Sequence, residues 1–455
     1  MTQRSDWRDE YNRKLMSFAD AAALIRAGDI IYTPIGGDAR TFLPAVFARI
    51  AELEFNVRIR ACAPQGQDWF LPEYWNLPFD MSVEIFGGAQ SRAALAARRA
   101  DYYPQLFSNQ FNLYDARPGD QEPIDVFTTA CTPPDDDGYV TFGGMPWHKG
   151  DFTRRADRTI LEVSPWLPNI RTTERVHVSE VAAFVMTDLA ERPPLPVTVA
   201  PPETTAVAGF VNEIVQDGDT CQIGAGRTAT HLVPFGAFEG KRDIGWHSEI
   251  TPLGVVDLMM SGVINNSRKS VDRGLGVTTT VSPRTDEQSE WLEQSGLLDT
   301  RPVREVNSIV NVAAQERMCS INNAFTVDLT GQICSESLST VVYNGTGGQP
   351  EFHIGAFIAP KGKAITVTPS AAADGLVSRI LPRIEDGQFV TVPRSFADYV
   401  VTEFGIARLA GRSQRQRAEN LIAIAHPDHR GELRRARQIQ FFPNVDVEIE
   451  AEVGD

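Results

Sequence analysis

The chain has 455 residues, 42% hydrophobic and 22% charged, enough apolar material to build cores for two large domains. Asp and Glu number 59 against 43 Lys and Arg, a net charge of −16, which excludes extended binding to nucleic acid or anionic membranes and leaves room only for a small anion in a local basic pocket. The polar opening lacks an apolar signal core, no run approaches 18 apolar residues, and the five cysteines are scattered without CxxC spacing, so the expectation is a reduced, cytoplasmic, multi-domain enzyme.

In chain order, the first organised unit is ALIRAGDIIYTPIGGDARTFLP (23–44), read as helix, Gly-Asp turn, short strand, Gly-rich turn and helix. NVRIRAC (56–62) and RTILEVS (158–164) are short and β-branched, and read as strands. ERPPLPVTVAPPETT (191–205) has five prolines in fifteen residues, which suits neither a helix nor a central strand. It marks a boundary, giving domains 1–195 and 196–455. Beyond it the first unit recurs as EIVQDGDTCQIGAGRTATHLVP (213–234), at a constant offset of 190. Gly28-Asp29 falls on Gly218-Asp219, Gly36 on Gly226, Ala39 on Ala229 and Pro44 on Pro234. SIVNVAA (308–314), KAITVTP (363–369) and YVVTEFG (399–405) are further expected strands, and 414–437 reads as charged helices interrupted at Pro427. The predicted fold class is α/β, two open domains of similar topology related by internal duplication.

Two glycine loops stand out. Gly224-Ala225-Gly226-Arg227-Thr228-Ala229 matches GxGxxA, which fits a dinucleotide turn, a tight strand–helix turn, or a source of backbone N–H groups for an oxyanion. Gly345-Thr346-Gly347-Gly348-Gln349 lies between apolar segments and lets a ligand approach the backbone. In IGWHSEITPLGVVD (244–257), an extended backbone puts His247 and Glu249 on one face, and apolar surroundings make Glu249 a candidate nucleophile or base. Glu336 and Glu403 compete on the same grounds. His426, Asp428 and His429 fit either a metal pair or a helix start after Pro427. The cysteines lack a positioned histidine, and neither a GxSxG elbow nor a P-loop occurs.

Over nearly its whole length the sequence resembles the acetyl-CoA hydrolase/transferase family of CoA-transferases, especially the 4-hydroxybutyrate CoA-transferase-like branch. The resemblance rests on CTPPDDDGYVTFG (131–143), IGAGRTATHLV, GWHSEITPLGVVDLMMSGVINNSRKS, SINNAFTVDLTGQICSES, YNGTGGQPEF and DYVVTEFGIARLAGRSQRQRAENLIAIAHPDHRGEL. It implies that Glu249 is the nucleophile and that the loops Ile223 to Gly226 and Gly345 to Gly348 face the reacting thioester. Coenzyme A is then a co-substrate, with acyl-CoA and a small carboxylic acid as partners, no permanent cofactor, no metal, and a homodimer expected. Ala225, Gly226, Gly347 and Gly348 would supply oxyanion donors, with Gly224 and Gly345 in the same loops. Gln349 and Asn322 would orient substrate, and Lys361, Lys363 and Arg379 are candidates for the CoA phosphates. Departures from the family pattern at Ile250–Leu253, Ile354, Trp147, His148 and Trp246 bear on the acyl group, and Trp246, Phe325 and Tyr343 hint at an apolar pocket for it. The rival expectations are hydrolysis through the same glutamate, an NAD-dependent oxidoreductase built on Gly224 to Ala229, and a non-catalytic CoA-binding protein.

Overall fold

The structure, a computed structural model, describes residues 6–443 apart from 37–38, 54–56, 65–66, 86–87 and 196. Its short β-branched runs become parallel strands. Ile30–Ile35 (β1), Val57–Ala63 (β2), Phe79–Val83 (β3), Ala100–Tyr102 (β4), Val126–Cys131 (β5), Arg158–Val163 (β6) and Ala183–Met186 (β7) form a seven-stranded sheet ordered β4-β3-β2-β1-β5-β6-β7. Thr220–Ile223 (β8), Gly245–Thr251 (β9), Gly276–Val281 (β10), Leu298–Thr300 (β11), Met318–Asn323 (β12), Lys363–Val367 (β13), Tyr399–Thr402 (β14) and Gly405–Arg408 (β15) form an eight-stranded sheet ordered β11-β10-β9-β8-β12-β13-β14-β15. Only the last pair is antiparallel.

The first seven strands of each sheet follow one order, as the repeat predicts. The duplication also reaches side chains. Gly28 and Gly218 take φ of +86° and +81°, where glycine turns the chain without strain. The following aspartates, Asp29 and Asp219, accept backbone N–H groups from Arg26 and Gln216 at 2.7 and 2.8 Å. Each also pairs with the cation that opens the equivalent strand, Arg158 of β6 at 2.7 Å and Lys363 of β13 at 2.5 Å.

Both faces of the second sheet are covered, so its central strands are buried over most of their length. Cys319, Ile321, Ile365 and Val367 pack with Val207, Ala208 and Val211 of the helix Thr204–Ile214 (α1). The alternating residues Met318 and Ala364 pack with Phe352 and Ala356 of Gln349–Ile358 (α2) on the other face. Four expected strands become β2, β6, β13 and β14, and 414–437 becomes two helices, Gln414–Ile424 and Arg430–Phe441, around a 3-10 turn at Pro427–His429. SIVNVAA does not form a strand: Ile309–Ala313 is a helix with Val312 buried and Val310 76% exposed. The strand of that region is β12. No helix among the described residues is long and apolar enough to cross a membrane.

Candidate active site

The order of the second sheet reverses between β8 and β12, which opens a crevice beyond their C-terminal ends, the position where α/β sheets take ligands. Cys221 of β8 pairs with Trp246 of β9, so three residues further on Gly224 lies level with Glu249. The first glycine loop and the candidate nucleophile are therefore neighbours. A Cβ at Gly224 would lie 2.3 Å from Asn322 Oδ1, and one at Gly226 1.6 Å from Asn323 Nδ2. Close packing against β12 thus demands these glycines. The loop runs into only a three-residue 3-10 turn, Ala229–His231, so it offers no helix N-terminus for a pyrophosphate, contrary to the dinucleotide expectation. Ala225 is exposed between the two glycines.

The second glycine loop reaches Glu249 from the other side. The Gly348 N–H donates to the Glu249 carboxylate, and a Cβ at Gly348 would lie 1.9 Å from Glu249 Oε2. Gly347 sits at φ +57°. Gly345 is pressed against the N-terminal half, where an added Cβ would meet the Glu84 carbonyl oxygen at 1.9 Å. Thr346 Oγ1 donates to the Gln105 carbonyl at 3.1 Å. Glu249 accordingly lies in the seam between the two halves. A cavity of about 950 Å³ lies elsewhere, against β2 to β4, and Glu249 does not line it.

Asn307 Nδ2 donates to Glu249 Oε2 at 2.5 Å. His247 projects to the same side, as expected, and its Nε2 donates to the Val306 carbonyl at 2.8 Å, fixing the backbone beside Asn307. Burial, with Lys269 adding, holds the His247 ring near a pKa of about 3, so it stays neutral and serves as a brace. Glu249 keeps some accessible surface, yet protein atoms crowd its carboxyl closely. Burial pushes its pKa up to about 8, the Asn307 bond works against this, and the charge of Glu351 adds to it. Cys62, at the end of β2, also faces this site: burial, then Glu84, then Glu249 hold its thiol well above the usual range. It is a neutral neighbour of Glu249.

Among the other expected residues, Gln349 opens α2 directly after Gly348, and its buried Nε2 finds no partner among the described residues. Both ends of the Asn322 amide are bonded to Gln222 at 3.0 Å, which stiffens the first loop from below. Lys361 and Lys363 are not brought to Glu249. Lys363 opens β13 and pairs with Asp219 at the opposite, N-terminal edge of the sheet, the duplicate of Arg158 and Asp29, while Lys361 pairs with exposed Glu316 at 2.5 Å. Arg379 is half-buried beside Tyr343, with burial holding its guanidinium below the usual value and no carboxylate paired to it among the described residues. Phe325 and Tyr343 meet edge to face, 5.2 Å apart, whereas Trp246 is fully buried core. Glu336 is held by Tyr102 and Thr391, and Glu403 by Ser370. His426 caps the 3-10 turn by accepting from the Asp428 N–H, the bland outcome for that pair.

Asn307, Glu351, Ser108 and Cys62 were not singled out from the sequence. Glu351 stands inside the quoted YNGTGGQPEF segment, so the signal for it was present; Asn307 borders the run mistaken for a strand.

Comparison with known proteins gives the family. The acetyl-CoA hydrolase/transferase N-terminal domain matches residues 1–219, and the C-terminal domain of the same name matches residues 285–437. The chain is 35% identical to a succinyl-CoA:cyclohexane-1-carboxylate CoA transferase of Geobacter metallireducens, covering 95% of this chain and 97% of that one. It is 31% identical to a 4-hydroxybutyrate coenzyme A transferase of Clostridium kluyveri, over 94% and 98% of the two chains. Among solved structures, RipA from Yersinia pestis superposes with a TM-score of 0.85 at 31% identity, covering 96% of this chain and 99% of that one.

Proposed function

The chain belongs to the acetyl-CoA hydrolase/transferase family and is an enzyme of the CoA-transferase type, and from that premise we propose that Glu249 carries CoA between acyl groups as a covalent nucleophile. The observation that carries this reading is the Glu249 carboxylate itself, desolvated, held by Asn307 and the Gly348 N–H, and level with the open first loop. An ionised oxygen of Glu249 attacks the acyl-CoA thioester carbonyl; the C–S bond breaks and leaves an acyl-glutamyl anhydride and CoA thiolate. The thiolate attacks the glutamyl carbonyl, the anhydride C–O bond breaks, and the first acid departs as its carboxylate, leaving a glutamyl-CoA thioester. An acceptor carboxylate runs the two steps in reverse, giving the new acyl-CoA and regenerating Glu249.

Each addition creates an oxyanion. The Gly348 N–H points at the glutamyl oxygen and Ala225 and Gly347 supply further backbone donors, whereas the Gly226 N–H is turned to Thr230 Oγ1 at 3.4 Å and would have to leave it to serve. Residues 1–195 form the unit that closes over the nucleophile with Glu84 and Ser108, and residues 196–455 carry the nucleophile and both loops. Arg379, the one proposed cation on this side of the sheet, meets a phosphate or carboxylate of the substrate.

An acceptor panel tests transfer. Acetyl-CoA or butyryl-CoA is incubated with succinate, 4-hydroxybutyrate or cyclohexane carboxylate, acids drawn from the relatives' names. The expected result is a new acyl-CoA whose formation requires the acid. Release of free CoA at an undiminished rate with no acceptor present would assign the site to hydrolysis through the same glutamate.

A further inference from the structure

Resting on Glu249 as the nucleophile, we propose that Glu351 is a positioning residue of this reaction, a second buried carboxylate that aims the Asn307 amide at Glu249 and sets a like charge beside it. Glu351 is the third residue of α2 and is completely buried, and no cation pairs with it among the described residues. Its Oε1 accepts the backbone N–H of Ser108 at 2.8 Å, a contact from the N-terminal half. Its Oε2 accepts from Asn307 Nδ2 at 3.0 Å, and the same nitrogen donates to Glu249 at 2.5 Å. A primary amide nitrogen has two hydrogens, and here each is given to a different carboxylate. That arrangement fixes the amide: rotating Asn307 by half a turn would set its oxygen against both glutamates. The Asn307 Oδ1, also buried, has no partner among the described residues, so the two carboxylates hold the orientation.

The electrostatics follow from the same geometry. The first turn of α2 favours a carboxylate, but burial opposes it and pushes Glu351 up to about 7. Two carboxylates joined through one nitrogen, with no cation between them, do not both ionise readily at neutral pH. The groups around the pair add no compensating charge. His247 on β9 is neutral, Cys62 on β2 is a protonated thiol, and Asn307, Gly348 and Ser108 are neutral donors. A negative charge on Glu351 therefore raises the pH at which Glu249 becomes a nucleophile. Through Ser108 and Glu351 the N-terminal half is joined to the hydrogen bonds that hold Glu249.

The test is the pH dependence of kcat/KM between pH 6 and 9.5 for the full-length enzyme. Glu351→Met removes the charge at similar volume and adds no competing donor; Glu351→Ala is the second uncharged variant, and Glu351→Asp restores the charge. The acidic limb reports ionisation of Glu249 in the free enzyme. Removing a like charge lowers that pKa, so both uncharged variants should shift the limb to lower pH by about one unit. Their plateau should fall ~10-fold as Asn307 loses its anchor, and Glu351→Asp should keep the limb near the wild-type position. A limb that stays in place in the uncharged variants, or complete loss of activity in all three, assigns Glu351 a purely structural role and overturns the inference. Glu249→Gln measured alongside separates the premise: if it still transfers CoA, the nucleophile assignment fails; if it is inactive and the limb has not moved, only the role of Glu351 fails.

Discussion

Glu249→Gln is expected to lower kcat by ~10⁴-fold or more, because a reaction that passes through a covalent bond to one side chain has no substitute for it. The substitution is nearly isosteric, and a glutamine oxygen can still accept from Asn307 and from the Gly348 N–H, the two bonds that hold the carboxylate. The fold should survive, and the pH dependence of stability gives an independent reading. A carboxyl whose folded pKa is raised to about 8 favours the folded state fully below its unfolded pKa, and loses that contribution as pH rises through the folded value. Glutamine does not titrate. The variant should therefore match the wild type in Tm at pH 4 and exceed it at pH 9. Thermal melts at the two pH values, with initial rates at neutral pH, check both halves of the expectation. A gain in stability on losing the catalytic group is what a site that burns folding energy to desolvate a nucleophile should show.

Gly348→Ala is expected to reduce kcat by ~10²-fold or more with little change in KM for acyl-CoA. At φ −81° the backbone of Gly348 suits alanine, so the effect comes from contact alone. The added methyl would lie 1.9 Å from Glu249 Oε2, 2.5 Å from Asn307 Nδ2 and 2.9 Å from Glu249 Cδ. None of these is the far end of a free side chain: Asn307 is held by Glu351, and Glu249 is held by Asn307. The carboxylate must move away from the N–H that would support its oxyanion. Gly347→Ala is the internal comparison. Its φ of +57° strains an alanine, but nothing lies within 4 Å of the new carbon. It should cost stability of ~1 kcal/mol and change the rate less than tenfold. Equal rate losses in the two variants would mean that loop conformation, not contact with Glu249, governs activity.

What was legible from sequence follows from where each interaction lives along the chain. The duplication was visible because Gly-Asp turns and glycine-rich strand ends are local, and the structure extends it to the paired ions Asp29–Arg158 and Asp219–Lys363. Glu249 and both loops were visible as motifs, each within a few residues. Lys363 was misplaced because charge alone cannot tell a strand-opening cation from one at the ligand end. SIVNVAA reads as a strand on its β-branched content, yet it forms a helix five residues long, which needs one buried position, Val312. The real strand, MCSINN, carries little β-branched content; it is accepted in the sheet centre because Asn322 is satisfied by Gln222 from β8. Asn307, Glu351 and Ser108 could not be read as a unit. The bonds that join them span 58, 44 and 243 residues, and the last crosses between the two halves.

The central claim is the covalent bond to Glu249, and trapping tests it most directly. The enzyme is incubated with acyl-CoA and no acceptor acid, treated with borohydride, digested, and analysed by mass spectrometry. A glutamyl thioester is reduced to an alcohol, so the account predicts that the peptide containing Glu249 carries that change, in proportion to the activity lost, and that the peptide is unmodified without acyl-CoA. Modification at another residue, or full inactivation with Glu249 intact, would contradict it.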